Sequence, residues 1–141
     1  MALTDSNPIP LHSVAPEFQL KNVVTDQWIS LPKQNEFKAT VIMFICNHCP
    51  YIIHVNPELI RLANDYIPKG VHFIAISSND VTHYPDDSPE LMRVQAKQLN
   101  YPFPYCYDES QEVARAYDAA CTPDFYVFNA ELKLAYHGRL D

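Results

Sequence analysis

The chain has 141 residues, a length that suits one domain with a single hydrophobic core. Hydrophobic residues make up 48% of it and charged residues 19%, which excludes an intrinsically disordered chain. The formal net charge of -7 argues against nucleic acid or an anionic membrane surface as a partner. We therefore expect a single folded domain over residues 1–141.

The first half of the chain carries a hairpin, a buried strand and a helix. EFQLKNVVTDQWISL (17–31) indicates two short strands around a turn at Thr25-Asp26. TVIMFIC (40–46) is a continuous apolar run, typical of a central strand. Pro57 interrupts the helical pattern that follows, so it should kink the helix or start a second one capped by Asn56. Gly70 ends the helical region. The residues at helical spacing are Ile52, Val55, Leu59, Leu62 and Tyr66.

The second half predicts another strand, two helices and a C-terminal hairpin. VHFIAIS (71–77) is the strand, and DDSPELMRVQAKQL (86–99) is a helix capped by Asp87 or Ser88. YPFPYCY is extended, and DESQEVARAYD opens with a capping-box-like Asp108 three residues before Gln111. DFYVFN and LKLAYH form the hairpin, with its turn at residues 129–131. This order predicts an α/β domain with a mixed sheet.

Cys46 and Cys49 stand where the central strand gives way to the helix. A helix N-terminus carries partial positive charge, which stabilises a thiolate and should lower the pKa of Cys46. Two intervening residues place the cysteines about one helical turn apart, so they can form a disulfide, with Cys49 as the more shielded thiol. The pattern indicates a redox-active dithiol.

The residues around the pair support this interpretation. Asn47 and His48 separate the cysteines, and a cationic His48 favours the Cys46 thiolate. Pro50 suits the first helical turn, where a missing N–H costs little. A zinc site is the rival interpretation, but it needs four ligands and no second paired motif exists. Inert core cysteines are the other alternative.

The sequence also predicts the cellular compartment and the roles of the two remaining cysteines, Cys106 and Cys121. The N-terminal sequence has neither the basic start nor the apolar core of a signal peptide, and no stretch approaches the ~20 apolar residues of a membrane span. We expect a cytoplasmic protein without membrane attachment, in which structural disulfides are rare. Cys106 is predicted to be a core residue. Cys121 is either a packing residue or a third reactive thiol.

Several strings together resemble the thioredoxin-like superfamily. FICNHCPYI after an apolar strand, followed much later by TPDFYVF, is similar to the dithiol and cis-proline pairing of that fold. The chain more specifically resembles the redoxin branch, grouped with alkyl hydroperoxide reductase and thiol-specific antioxidant. That branch has an extra N-terminal β-hairpin, which residues 16–31 fit. SSNDVTHYPDDSPE, YPFPYCYDESQEVARAYDAACTPDFYVF and GRLD extend the resemblance over nearly the whole chain.

The resemblance implies a role for each matched residue. Cys46 is the expected nucleophile and Cys49 the resolving thiol. Pro123 is expected to be cis and to lie against the dithiol, where it also keeps stray metals off the thiols. Thr122 is expected to offer its backbone to an extended substrate segment. No metal and no cofactor beyond the redox-active disulfide is implied.

The sequence also departs from the thioredoxin pattern. Ile45 stands where a tryptophan commonly precedes the first cysteine, and residues 41–45 contain no acid to serve as a buried base. Asp80 and His48 are the candidates for that role. No segment corresponds to the closing helix that usually follows the final hairpin. A sheet face without that helix would favour self-association.

Three functions stay open at this point. The first is a thiol–disulfide oxidoreductase acting on a protein or small-molecule disulfide, with a thiol or a reductase as electron donor. The second is a thiol peroxidase with Cys46 as the peroxidatic cysteine. Peroxidatic sites of the redoxin branch usually carry a threonine three residues before the cysteine, and Met43 stands there. The third is a non-enzymatic module that binds metal or senses redox state.

Overall fold

The computed structural model describes residues 12–31, 38–45, 50–78, 88–119 and 124–138. Seven strands and three α-helices lie in these ranges, and a 3₁₀ turn, Ile67–Lys69, follows the first helix. The strands are β1 Gln19–Lys21, β2 Trp28–Ser30, β3 Ala39–Phe44, β4 Val71–Ser77, β5 Tyr105–Tyr107, β6 Asp124–Phe128 and β7 Leu134–Gly138. The helices are α1 Pro50–Tyr66, α2 Pro89–Gln98 and α3 Glu112–Ala116.

Five strands form the central sheet in the order β5-β4-β3-β6-β7. β3, β4 and β5 are parallel, whereas β6 runs antiparallel to β3, and β7 antiparallel to β6. Both β3 and β4 are rich in buried apolar residues, as expected for central strands covered on both faces. The predicted α/β fold with a mixed, thioredoxin-like sheet is confirmed.

Successive side chains along each strand point to opposite faces of the sheet, and they form two separate hydrophobic cores, one on each face. The first, which we call the α1/α2 face, includes Met43, Ile45, Val55, Leu59, Ala63, Phe73, Ala75, Met92, Ala96 and Phe125. The second, the α3 face, includes Leu31, Ile42, Phe44, Ile74, Ile76, Cys106, Tyr117, Tyr126, Phe128 and Leu134. Helices α1 and α2 therefore cover one face, and α3 with the N-terminal hairpin covers the other.

The predicted N-terminal hairpin is present as β1 and β2, which pair antiparallel with Leu20 opposite Ile29. Asp26, in the predicted turn, has a φ of 62°, a conformation that Asp tolerates better than most residues. An isolated bridge between Asn22 and Cys106 attaches the hairpin to β5. The hairpin thus lies against one edge of the central sheet, which would otherwise present unpaired backbone groups.

Pro57 does not divide the first helix. α1 runs without a break from Pro50 to Tyr66 and contains Pro57 in its interior, so the alternative of a second helix capped by Asn56 is wrong. Asn56 is instead a buried helical residue whose Oδ1 accepts a hydrogen bond from the Tyr101 hydroxyl. Packing of the apolar face of α1 offsets the backbone hydrogen bond that proline removes. Gly70 ends the region with a φ of 97°, as predicted.

The other helix starts follow the sequence closely. Ser88 is the cap of α2, and its hydroxyl accepts a hydrogen bond from the Leu91 N–H. Asp108 lies further upstream of α3 than an ordinary cap, since the helix begins only at Glu112. Its carboxylate nevertheless accepts from the N–H of Ala114 at 3.0 Å. Asp108 therefore stabilises the entry to α3 through a longer loop than the capping-box spacing predicts.

The C-terminal hairpin is also as predicted, with its turn around Asn129. The Asn129 side chain accepts hydrogen bonds from the backbone N–H groups of Glu131 and Lys133. β7 is the last described element, and residues 139–141 lie outside the described residues. The expected lack of a closing helix stays a prediction.

Candidate active site

The predicted dithiol lies between two well-defined elements. β3 ends at Phe44, and Ile45, which is 0% exposed, continues it by one hydrogen bond from its N–H to the carbonyl of Ile76. Helix α1 begins at Pro50. The four residues between them, Cys46, Asn47, His48 and Cys49, lie outside the described residues, as do Thr122 and Pro123. The strand-to-helix junction that the sequence predicted is confirmed, with Pro50 as the first helical residue.

The sheet brings the flanks of both predicted motifs to one edge. Phe44, two residues before Cys46, pairs with Asp124, the residue directly after Pro123. Neighbouring strands lie about 4.8 Å apart. The parallel strands β4 and β5 end at the same edge, with Ser77 paired to Tyr107. In α/β proteins, the carboxyl ends of parallel strands are where ligands commonly bind.

Asp124 is a buried carboxylate at this edge, and sequence reasoning missed it. It is 0% exposed, and its Oδ1 lies 2.9 Å from Nε2 of His137 on the neighbouring strand. The Tyr126 hydroxyl lies 3.3 Å from Oδ2 of Asp124 and donates to the carbonyl of Tyr117 at 2.8 Å. The His137 ring stacks on Tyr126 with centroids 4.1 Å apart. His137 is thus a structural histidine.

A second buried carboxylate, Asp108, anchors the ends of β4 and β5. It is 1% exposed, and it accepts a hydrogen bond of 2.8 Å from the Ser78 hydroxyl. Gln111 donates from its side-chain amide to the carbonyl of Ser78 at 2.8 Å. These contacts fix the backbone where β4 leaves the sheet. Asp80, one of the two candidates for the buried base, lies outside the described residues.

Ser77 differs from its neighbour. It is 0% exposed, and its Oγ has no hydrogen-bond partner in the described part of the chain. Buried hydroxyls without a partner are uncommon in folded proteins. Nothing in VHFIAIS marks this position, since a serine at a strand end is ordinarily a turn residue.

Cys106 is a core residue, as predicted. Its side chain is fully buried in the core on the α3 face, and burial raises the pKa of its thiol to about 12. A thiol with this pKa stays protonated at neutral pH and is a poor nucleophile. Cys121 lies outside the described residues, so its role stays open.

A cleft opens beside the carboxyl end of β5, and the described residues contain no metal-binding cluster. In the ranges described, no group of three or more His, Cys, Asp or Glu residues could hold a metal ion. A cleft of about 720 Å³ lies between the N-terminal hairpin, α2 and the loop after β5, and Trp28, Arg93 and Tyr107 are among its lining residues. Arg93 is held there by a 2.6 Å hydrogen bond from its Nε to the carbonyl of Val23. No helix within the described ranges has the length and apolarity to cross a membrane.

Comparison with known proteins gives the family. Residues 11–137 match the AhpC/TSA family. The chain belongs to this family. No curated protein is similar enough to count as a match. An uncharacterized conserved protein from Geobacillus kaustophilus shares 59% identity, with a TM-score of 0.96 over 100% of this chain and 75% of the other.

Two further structures extend the comparison. A hypothetical protein from Sinorhizobium meliloti shares 38% identity at a TM-score of 0.94, over 98% of this chain and 75% of that one. A thiol-disulfide oxidoreductase from Bacteroides fragilis shares 20% identity at a TM-score of 0.74, over 92% of both chains. At 20% identity, the similarity to the Bacteroides fragilis protein supports a shared fold only. The AhpC/TSA family and the thioredoxin-like fold agree with the resemblance seen in the sequence.

Proposed function

We propose that this AhpC/TSA protein is a thiol–disulfide oxidoreductase whose Cys46 and Cys49 cycle between a dithiol and a disulfide. The observation that carries the proposal is the junction itself. The buried strand β3 ends at Phe44 and is extended by the buried Ile45, a 17-residue helix begins at Pro50, and both cysteines lie in the four residues between Ile45 and Pro50. Family membership supports redox chemistry at cysteine, since the fold is shared with thiol-disulfide oxidoreductases.

Helix α1 is proposed to activate the nucleophile, Cys46. The first N–H groups of α1 have no partners within the helix, and its first turn contains no acidic residue to compete with a thiolate. A thiolate at Cys46 is stabilised there, and a cationic His48 adds to the effect. Pro50 at the helix start removes an N–H that the helix does not need.

The reaction proceeds by two exchanges. The Cys46 thiolate attacks one sulfur of a substrate disulfide, which forms a mixed disulfide and releases the other substrate sulfur as a thiolate. The Cys49 thiolate then attacks the Cys46 sulfur, which closes the Cys46–Cys49 disulfide and releases the second substrate thiolate. Two electrons pass to the substrate, and an external thiol or a reductase returns them to the protein.

Thr122 and Pro123 are proposed to form the substrate-facing side of the site. The pairing of Phe44 with Asp124 supports this placement, because it brings the flanks of the two motifs to adjacent strands. The buried hydrogen bonds of Asp124 fix the strand that begins directly after Pro123. A cis Pro123 would leave the Thr122 backbone open to pair with an extended disulfide-containing segment. Asn47 belongs to the same site as a spacer between the cysteines.

The proposed partners follow from this chemistry. The substrate is a protein or low-molecular-weight disulfide, and the site needs no cofactor beyond its own disulfide. We propose a cytoplasmic location, where the protein would act mainly as a reductant.

The direct test is disulfide reduction by the reduced protein. The wild-type chain should reduce a protein disulfide such as that of insulin in the presence of dithiothreitol, and Cys46→Ser should abolish the activity. Cys49→Ser should instead accumulate a mixed disulfide at Cys46, because the resolving step is lost. Full reductase activity in Cys46→Ser would exclude the proposed mechanism.

Peroxide reduction is the second candidate, and membership of the AhpC/TSA family favours it. Met43 argues against it, since it stands where a peroxidatic site usually carries threonine. Steady-state consumption of hydrogen peroxide, lost in Cys46→Ser, would make the protein a peroxidase. Insulin reduction without that consumption would support the oxidoreductase.

A further inference from the structure

The cleft beside the carboxyl end of β5 presents an exposed tryptophan. Trp28, the single tryptophan of the chain, is 61% exposed, although tryptophan side chains are usually largely buried. Apolar side chains line the same cleft: Leu20, Val23, Pro89 and Tyr107. The cleft volume of about 720 Å³ lies within the range of roughly 300–1,000 Å³ that is typical of ligand sites. The cleft therefore has the size and the apolar lining of a binding site.

Arg93 supplies hydrogen-bond donors to this cleft. Its Nε donates to the carbonyl of Val23 at 2.6 Å, and its Nη2 donates to the carboxylate of Asp26 at 3.2 Å. These contacts fix the guanidinium group against the N-terminal hairpin, while the side chain stays 43% exposed. A guanidinium has five N–H groups, and among the described residues Arg93 uses only these two. The other N–H groups can donate to an acceptor on a ligand.

The charges around the cleft decide which acceptor suits it. The lining residues carry charges of both signs: Lys21, Arg93, Asp26, Asp108 and Glu109. A strongly anionic ligand gains little here, because it meets carboxylates as well as Arg93 and because the chain has a net charge of -7. A neutral carbonyl oxygen accepts from Arg93 without that repulsion. An apolar segment of polypeptide, which has a carbonyl group at every residue, therefore fits both the apolar lining and the donors.

The cleft lies a short distance along the sheet edge from the end of β3. Phe44, Ile76 and Cys106 form one row across three neighbouring strands, because Phe44 pairs with Ile76 and Ile76 with Cys106. The ends of this row are two strand spacings apart, which is about 10 Å. Tyr107, which lines the cleft, follows Cys106, and Ile45, the last described residue before the cysteine pair, follows Phe44. An extended chain covers that distance in about three residues.

We propose that this cleft is a substrate subsite through which the protein selects polypeptide disulfides over small ones. The cleft binds an apolar segment of the substrate that lies about three to five residues from the reacting cysteine. Trp28 packs against an apolar side chain of that segment, and Arg93 donates to its backbone carbonyl groups. The inference rests on the proposed thiol–disulfide exchange and deepens it, because it names the substrate class. A small disulfide reacts without filling the cleft.

Fluorescence of Trp28 tests binding without any reaction at the cysteines, since the chain has no other tryptophan. The probe is a soluble peptide in which serine replaces the reacting cysteine and phenylalanine stands four residues away from it. This peptide should change the Trp28 emission in a saturable manner, and a peptide with serine in place of the phenylalanine should not. An unchanged emission up to millimolar concentrations of the phenylalanine peptide would overturn the subsite.

Three variants show which side chains bind the peptide, with fluorescence anisotropy of a fluorescein-labelled copy as the readout. Trp28→Ala should weaken binding about tenfold, and Arg93→Lys several-fold, because lysine keeps the charge and loses the planar array of donors. Tyr66→Ala is the matched control. Tyr66 is also an exposed aromatic residue with a lysine Nζ near its ring, at 5.1 Å, but it lies at the end of α1 and outside the cleft lining. It should bind the peptide as the wild type does.

Kinetics separate this inference from the function on which it rests. The substrates are the disulfide-linked dimer of the cysteine form of the peptide and hydroxyethyl disulfide, which has no polypeptide. In Trp28→Ala, kcat/KM should fall about tenfold for the peptide, mainly through KM, and stay within about twofold for hydroxyethyl disulfide. An unchanged value for the peptide, or an equal fall for both substrates, would overturn the subsite alone. A wild-type protein that reduces neither substrate would overturn the proposed function as well.

Discussion

The Asp124–His137 pair gives a sharp prediction about stability. Asp124 is fully buried, the His137 side chain is 5% exposed, and the two are joined at 2.9 Å. Asp124→Asn keeps the size of the side chain but removes its charge. The variant also places an NH2 donor group among partners that are hydrogen-bonded to carboxylate oxygens in the wild type. Loss of a charge-assisted hydrogen bond costs about 1.5–3 kcal/mol. For a chain of this length, that lowers the melting temperature by roughly 5–10 °C.

The assay is urea unfolding, with thermal melting as a second readout. Asp26→Asn is a matched control, because it makes the same chemical change in an exposed pair with Arg93 at 3.2 Å. Exposed ion pairs contribute about 0–1 kcal/mol, so the control should stay close to wild type. If Asp124→Asn changed the free energy of unfolding by no more than Asp26→Asn, the buried cluster would not stabilise the start of β6 as described.

Three other features give further predictions. Cys106 should resist iodoacetamide in the native protein at pH 8. The free energy of unfolding should decrease between pH 9 and 12, because the Cys106 thiol ionises near pH 9.0 in the unfolded chain and only near pH 12 in the folded one. Urea unfolding of Cys106→Ala should show a smaller decrease over the same pH range. Gly70→Ala should cost about 1–2 kcal/mol in urea unfolding, since φ at Gly70 is 97°, and a wild-type midpoint would contradict that strain. Asn22→Ala should speed amide hydrogen exchange at Val24, whose N–H donates to the Asn22 side chain at 3.0 Å; unchanged exchange would refute this anchoring role.

The sequence predicts the architecture well because local patterns and tertiary packing agree. The apolar runs that begin at Thr40 and Val71 form the central strands β3 and β4, Ser88 caps α2, and Gly70 ends the helical region. The prediction fails where tertiary packing outweighs a local rule. Pro57 is retained inside α1, and Asn56, a plausible cap by its chemistry, is buried against Tyr101 instead.

The polar surroundings of the site were much harder to predict. Residues 41–45, in the strand before Cys46, contain no acid, yet Asp124 lies on the adjacent antiparallel strand. Only the pairing of Phe44 with Asp124, and of Tyr126 with His137, reveals that contact. One signal was available: an aspartate opening the otherwise apolar string DFYVF, directly after Thr122-Pro123. Ser77 gave no signal, because a serine at the end of a strand is ordinarily a turn residue, whereas here it is 0% exposed.

The roles of the motif residues themselves stay predictions. Cys46, Asn47, His48, Cys49, Thr122 and Pro123 lie outside the described residues, and the structure describes the strands and the helix that flank them. Those flanking elements are consistent with a dithiol at a helix N-terminus. The position of such a dithiol is set by the order of β3 and α1 as well as by the cysteine motif.

The most direct test of the central claim is to map the cysteines after the reduced protein reacts with a substrate disulfide. Differential alkylation and peptide mass spectrometry should show one intramolecular disulfide between Cys46 and Cys49, with Cys106 still a free thiol. Reduced Cys46 and Cys49 after substrate turnover, or a stable bond from Cys46 to any other sulfur, would contradict the proposed dithiol mechanism.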